Sequence, residues 1–537
     1  MAKLKISGCR GKFIFLWVLY LPLTSPTHAQ TGKDSFVYSD YNIMQYGARP
    51  DGKTSSTAAI QRAVDACHRM GGGKIIIPAG HFVTGTIRLY SNMNLYLAPG
   101  ALLSGSRDDK EYLYQKDFGF SGPGAGTRTG MLVAHHEQNI SITGSGTING
   151  NGTGSMFMDS LQQGADFNTK YTRQGRNYMN PAYGRKDGPV LWKGSYEDRP
   201  GVMVIFSDCK NVRLSNIKFE ESPNWTVAFL NSEDIQITSI TIENNMSIPN
   251  SDGIDLYDSK NIMISDCLIQ AGDDAIAVIS SDNLTASNCI LHSRSCGIRV
   301  GYNVFNDHHS GNLLFNNIRI YDSNRGIGIF QRRQGNMENM IFSNMMISTR
   351  LHSGQWWGHG EPIHISAVPG LSSRETGTIS NVRFSNITAS SESGIVIFGS
   401  RKGAIRDIYF ENIHLTINKS PLEEGYGGNI DLRPVNDITL GIFKHSIPAL
   451  FSTFTDGLAI HNMNVSWGTG LPAYFNHAVE CTNFGMVTID GLHEECTKDS
   501  GAGSASTVYL HKGGTAYIRD ITSTDKNKKL ILKKDMD

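Results

Sequence analysis

The chain has 537 residues with 57 glycines and only 18% charged residues, so it is neither a disordered polymer nor a long-helix protein. Lys plus Arg and Asp plus Glu both number 49, a net charge of zero that offers no global field to nucleic acid, which is excluded as a partner. Such a length holds several domains or one long repetitive architecture, and the glycine content favours the repeat.

Residues 1–29 read as a signal peptide, because Lys3, Lys5, Arg10 and Lys12 precede an apolar run from Phe13 to Leu23 and Thr27, His28 and Ala29 give a small-x-small cleavage pattern. Its removal leaves the chain four charges negative. The expected residence is secreted or periplasmic, with no membrane span, since the apolar run is too short for one. Seven cysteines follow, too few and too scattered for a disulfide scaffold. Cys67, Cys209, Cys267 and Cys289 read as buried thiols, while Cys481 and Cys496 are spaced to bridge a short loop.

Residues 30–110 read as an N-terminal cap with the first coils. Within them, Thr57 to Met70 carry Ile60, Val64 and Cys67 at helical spacing and are stopped by Gly71, Gly72 and Gly73, which predicts one amphipathic helix placed to cover a solenoid end. Residues 111–525 lose helical periodicity. A short phrase recurs there: an Asn or Asp, an alternating apolar triplet, a polar pair, then a second alternating strand. It starts at Asn139, Asn211, Asp234, Asn261, Asn283, Asn312 and Asn339, and again at Asn381 and Asp407. From Asn211 to Asn339 the steps are 23, 27, 22, 29 and 27 residues. A period in this range with short strands predicts stacked coils, hence an all-β right-handed parallel β-helix with an N-terminal capping helix. Residues 421–456 read as a large loop before coils at Leu458 and Met486, and residues 526–537 as a basic C-terminal tail.

One stretch gathers acids beyond what a core needs. Asn250, Ser251, Asp252, Gly253, Ile254 and Asp255 are followed at Gly272 by Asp273 and Asp274, and the 21 residues from Asp252 to Asp273 equal about one coil. Converging carboxylates repel, which raises at least one pKa. Acid/base cleavage of a glycosidic bond uses that asymmetry: one carboxylic acid protonates the leaving oxygen while another carboxylate activates water. Asp255 and Asp258 read as turn-closing residues.

These motifs, together with YGARPDGKTSSTAAIQRAVDAC, GGGKIIIPAGHFVTGTIRL, SGSGTINGNG, RPGVMVIF and SPNWTVAF, resemble the polygalacturonase-type enzymes of glycoside hydrolase family 28. The resemblance covers most of the chain and implies a right-handed parallel β-helix that hydrolyses glycosidic bonds with inversion. It places the general acid on Asp273 and the water-activating carboxylates on Asp252 and Asp274, and it matches Asn250 to the Asn that opens the first motif. No metal and no cofactor are expected.

The chain departs from the family where Ser295, Cys296 and Gly297 replace Gly-His-Gly, and where Gly328, Ile329 and Phe330 replace the Arg-Ile-Lys that grips a uronate carboxylate. Arg299, Arg325, Arg332 and Arg333 are candidates to supply positive charge to an acidic or sulfated sugar. Trp356 and Trp357 are candidates to stack on sugar rings, and His359 is a candidate substitute for the missing histidine. The leading reading is a monomeric, exported inverting hydrolase of a pectic or related acidic polysaccharide or oligosaccharide, on which unmodified homogalacturonan performs poorly. A polysaccharide lyase on the same scaffold and a non-catalytic carbohydrate-binding β-helix are the alternatives.

Overall fold

The computed structural model describes residues 39–119, 127–161, 190–302, 309–352, 358–371, 373–422, 428–497 and 506–536, and Ser39–Asp537 forms one compact unit. The chain is an all-β, right-handed parallel β-helix. One sheet stacks fourteen strands in chain order from Ile87–Arg88 to Lys529–Lys534, one per coil. The second half of each coil builds the other sheet, where later coils merge into long strands such as Ser310–Ser323 and Asn336–Thr349. Inward residues alternate with solvent-facing ones along these strands, as a half-buried pleat requires. No single coil buries its inward Ile, Leu and Phe, so the core exists only through stacking. Phe315, Phe342, Phe384 and Phe410 show this directly: they pair rung upon rung, with ring centroids 5.0, 5.1 and 4.9 Å apart.

The recurring Asn or Asp has a backbone reason. Asn139, Asn211, Asp234, Asn261, Asn283, Asn312, Asn339, Asn381 and Asp407 all adopt φ between 51° and 59°, the left-handed region that Asn and Asp enter at least cost among residues with a side chain. Each turns the chain at the same place in its coil. The side-chain amides of the asparagines also link neighbouring coils, as from Asn211 to Asn139 at 2.8 Å and from Asn381 to Asn339 at 2.8 Å.

The helix Thr57–Arg69 caps the first coils, with Ile60, Val64 and Cys67 buried against Asp40–Asn42 and Gly73–Ile77. Three expectations need correction. Within 421–456, Asn429–Asp431 and Ile442–Lys444 form an antiparallel hairpin, and the solenoid resumes at Leu450–Thr453, whose four buried residues hide the alternation that marks other strands. In the basic C-terminal segment, Lys529–Lys534 is a strand paired with Ser506–His511, because the ladder takes up its backbone while its lysines stay in water. Cys481 and Cys496 do not bridge: both are free thiols, one on each sheet.

Candidate active site

The acid-bearing turns precede two successive strands of the fourteen-stranded sheet, Ile254–Tyr257 and Ile276–Ile279. Ile254 pairs with Ile276, and the Gly253 N–H donates to the Asp274 carbonyl at 2.9 Å, so Asp252 and Asp274 hold equivalent positions one coil apart. Two glycines allow the approach. A Cβ on Gly253 would lie 2.4 Å from the Ala275 carbonyl oxygen, and one on Gly272 would lie 2.4 Å from Ser251 Oγ and 2.5 Å from the Ile248 carbonyl oxygen. Asn250, at φ 56°, reverses the chain ahead of Asp252. Arg199 anchors that reversal by donating to the carbonyls of Pro223, at 2.7 Å, and Pro249, with Nη1 3.5 Å from Asn250 Oδ1.

Oxygens of Asp252, Asp273 and Asp274 lie within 4.8 Å of one another. They line a cavity of about 350 Å³ together with Asn250, Cys296 and Arg299. Asp255, Ala277 and Arg299 are in register on successive strands, and the small alanine between them leaves room for the arginine to fold back. Arg299 Nε donates to Asp274 Oδ2, Nη1 donates to the Gly301 carbonyl at 3.2 Å, and Nη2 lies 4.0 Å from Asp252 Oδ2. The backbone N–H of Cys296 donates to Asp274 Oδ1 at 3.0 Å.

Four carboxyl groups thus share one guanidinium. Burial and then the Asp274 charge raise Asp273 to about 7, against the pull of Arg299. Burial raises Asp252 well above the usual carboxylate range, reinforced by Asp255, Asp273 and Asp274. Asp255 is fully buried, and neither of its oxygens has a hydrogen-bond partner among the described residues. Burial pushes its pKa well up, because an unpartnered carboxylate at such depth costs more than the neutral acid.

The other expected residues divide. Arg299 and Asn250 are on the cavity wall. Arg332 is not: it is buried, and donates to the carbonyls of Pro434, Ser366 and Leu432 at 3.0, 3.0 and 3.1 Å, because the 428–445 hairpin folds over it. It is a scaffold for that hairpin rather than a sugar contact. His359 lies under the same hairpin, buried, with Nδ1 3.2 Å from the Asn429 carbonyl oxygen and away from the cavity wall. It is not beside the acids, where Asp274 accepts from the Cys296 backbone N–H and from Arg299 Nε. Trp356 and Trp357 lie outside the described residues. Phe330 is on the wall and its ring fills the space above Gly328, where a Cβ would lie 2.4 Å from Cε2 of the phenyl.

Sequence reasoning missed four residues here. Asp255 is inside a strand, not a turn, and the signal was its outward place between inward-facing Ile254 and Leu256. Trp225, whose ring stacks on Tyr257 at 6.4 Å, and Tyr302 supply aromatic wall in the cavity. Arg433 reaches the cavity from the hairpin, which carries no periodic signal. Among the described residues a second cluster, His135, His136 and Asp208, has donor atoms within 4.8 Å of one another at the ends of paired strands, a geometry a cation would fit. No helix among the described residues is long and apolar enough to cross a membrane.

Residues 121–423 match the profile of glycosyl hydrolases family 28, and residues 41–154 match that of rhamnogalacturonase A/epimerase, pectate lyase-like proteins. The chain is 31% identical over 251 residues to an exo-poly-alpha-D-galacturonosidase of Dickeya chrysanthemi, across 44% of this chain and 41% of that protein. It is 30% identical over 247 residues to a probable polygalacturonase of Vitis vinifera, across 44% of each. In both cases the chain spans less than half the length of the relative. Two solved structures share the fold: a hyperthermoactive exopolygalacturonase from Thermotoga maritima, with TM-score 0.52 and 21% identity over 71% of this chain and 87% of that one, and a Yersinia enterocolitica family 28 exopolygalacturonase, with TM-score 0.52 and 16% identity over 88% and 78%. With more than half of its length matched by one profile, the chain belongs to glycosyl hydrolases family 28.

Proposed function

We propose that the chain is an exported hydrolase that cleaves glycosidic bonds of a pectic or related acidic polysaccharide or oligosaccharide with inversion, residues 1–29 being its export leader. The observation that carries the reading is one cavity in which Asp273, raised to about 7, faces Asp252 and Asp274 beside a single guanidinium. Asp273 keeps its proton near neutral pH and delivers it to the leaving oxygen. Asp255 stays neutral, which removes its charge from Asp252. Asp252 and Asp274, steadied by Arg299, then orient and deprotonate the attacking water. Asn250 and Trp225 border the sugar. The residue roles and the acidic substrate rest on this chemistry and on the family, and the export leader rests on the basic and apolar pattern of residues 3–29.

The acids are closer together than the roughly 6.5–9.5 Å usual for an inverting pair, so the water is held by Asp252 and Asp274 jointly rather than across an open gap from Asp273. Proton NMR of freshly released product reads the outcome. An α-linked substrate gives the β-anomer first if the configuration inverts, and α-anomer first overturns the inversion. Asp273→Asn is expected to lower kcat by about 10² to 10⁴-fold with the fold intact by circular dichroism. Full turnover by that variant would remove Asp273 from the mechanism.

A further inference from the structure

The cavity wall carries cations besides Arg299. The antiparallel hairpin Asn429–Asp431 and Ile442–Lys444 leaves the solenoid between two coils, and the segment joining its strands brings Arg433 and Pro434 to the cavity wall beside Arg325 and Phe330. This placement is enforced from several directions. Asp431 is fully buried; its Oδ1 accepts the Arg433 Nε and backbone N–H, both at 3.0 Å, and its Oδ2 accepts Arg433 Nη2 at 2.8 Å and the Gly358 N–H at 2.9 Å. Arg325 pairs with Glu361 at 3.2 Å and donates to the Asp431 carbonyl at 2.9 Å. Arg332 holds the Leu432 and Pro434 carbonyls, and the Phe330 ring is packed 5.2 Å from each of the Arg325 and Arg332 guanidiniums.

Around the hairpin, among the described residues, the three guanidiniums of Arg325, Arg332 and Arg433 stand against the two carboxylates of Asp431 and Glu361. Burial and Arg325 pull Arg332 down to about 9, which leaves it charged at neutral pH. His364 is drawn down to about 4 by burial and Arg325 and is neutral there. Among the described residues the guanidiniums here outnumber the carboxylates by one, and of the two arginines that this group presents to the wall the Arg433 side chain is 13% exposed while that of Arg325 is 2% exposed. Arg433 is the one a ligand reaches. Its guanidinium is pre-oriented by the bidentate Asp431 contact, so little side-chain freedom is lost on binding an anion.

We propose that Arg433 is the anion-binding, specificity-determining residue of the site, taking the carboxylate or sulfate of a sugar unit next to the cleaved bond, with Asp431 as its positioning residue. The assignment rests on the hydrolase reading above and deepens it. It also explains how Gly328 and Phe330 are tolerated at the positions where the family resemblance leads one to expect a cationic pair: the anion is gripped from a different part of the chain, and Phe330 serves as the packing surface on which the arginine cluster is built.

The test uses the full chain carrying Asp273→Asn, so that binding is read without turnover. Calorimetry measures affinity for a galacturonate trisaccharide, for its carboxyl-reduced counterpart and for a sulfated galacto-oligosaccharide. Adding Arg433→Gln is expected to weaken the anionic probe that binds best by roughly ten- to a hundredfold and to leave the reduced trisaccharide unchanged. Arg433→Lys should recover part of the loss, and Asp431→Asn should weaken the same probe. In the active chain Arg433→Gln should raise KM more than it lowers kcat. Which anion binds best identifies the substituent. Equal losses on the charged and reduced probes, no loss on either, or no preference of the Asp273→Asn chain for an anionic probe overturns the assignment. If the unmodified chain releases no reducing sugar from any probe while the Arg433 effect on binding stands, the hydrolase reading fails and the binding assignment survives.

Discussion

Nε of Arg299 donates to Oδ2 of Asp274, and this contact is the only direct guanidinium–carboxylate hydrogen bond the described residues provide within a cluster of four acids. Arg299→Gln leaves buried carboxyl groups without their counter-charge. Breaking a buried pair from one side costs about 3–5 kcal/mol. Denaturant melts should show a loss of that order, and kcat should fall by at least about 10²-fold. Unchanged melting together with wild-type turnover would remove Arg299 from both roles.

Asp273 gives the site its pH dependence. Its pKa is raised from the ordinary carboxylate value to about 7, so across the interval between the two the folded chain holds a proton that the unfolded chain has released. Stability from this group is full below the unfolded value and is lost as pH rises through about 7. Activity that needs the protonated acid should decline over the same upper range, giving kcat/KM a falling limb near 7. Asp273→Asn removes the titration. Its melting temperature should gain on the wild-type chain as pH increases from 4 to 8, by roughly 2 °C, and a constant difference at every pH contradicts the account.

Asp255 separates charge from shape. With Asp255 neutral, as the proposed mechanism has it, an amide of nearly the same volume should replace it with kcat within about fivefold of wild type, whereas Asp252→Asn and Asp274→Asn each cost at least about 10²-fold. Steady-state assays of the three variants side by side decide the matter. A loss at Asp255→Asn as deep as at Asp252→Asn would mean that Asp255 works as an anion.

Gly272 tests how the acids are brought together. A methyl group there meets Ser251 Oγ and the Ile248 carbonyl oxygen inside 2.6 Å and cannot be absorbed without moving one of the two turns. Gly272→Ala is therefore expected to cost about 1–3 kcal/mol in a urea melt and to lower kcat with little change in substrate affinity. Wild-type kcat in this variant would show that the turns are looser than their packing indicates.

Much of this was readable from the sequence because the underlying rule is local. A left-handed turn favours Asn or Asp, so Asn211, Asp234 and Asn261 mark coil after coil, and the convergence of Asp252 with Asp273 and Asp274 follows from counting about one coil between them, the register itself pairing Asp252 with Asp274. The helix at Thr57–Arg69 is legible for the same reason, its apolar spacing being a property of the segment itself. What resisted reading depends on what covers a residue. Arg332 and His359 are near the altered motifs in the chain and look available, yet a hairpin some seventy to a hundred residues later closes over both. The same hairpin brings in Arg433, and nothing in its own pattern says where it lands. Asp255 was misjudged because its neighbour Asp258, at φ 46°, does close a turn, while Asp255 itself lies in the preceding strand.

The column of Phe315, Phe342, Phe384 and Phe410 fixes where this protein is able to change. Rings stacked face to face at 4.9–5.1 Å tolerate neither a longer nor a shorter path through their sheet, since one residue of slippage turns a phenyl out into water. Differences in length from coil to coil therefore collect at the turns and excursions between strands, and the 428–445 hairpin is one of these. A graft that exchanges this hairpin together with Arg325, Phe330 and Arg332, the residues packed beneath it, is expected to carry substrate preference with it as a cassette and to leave the thermal unfolding of the stacked coils where it was.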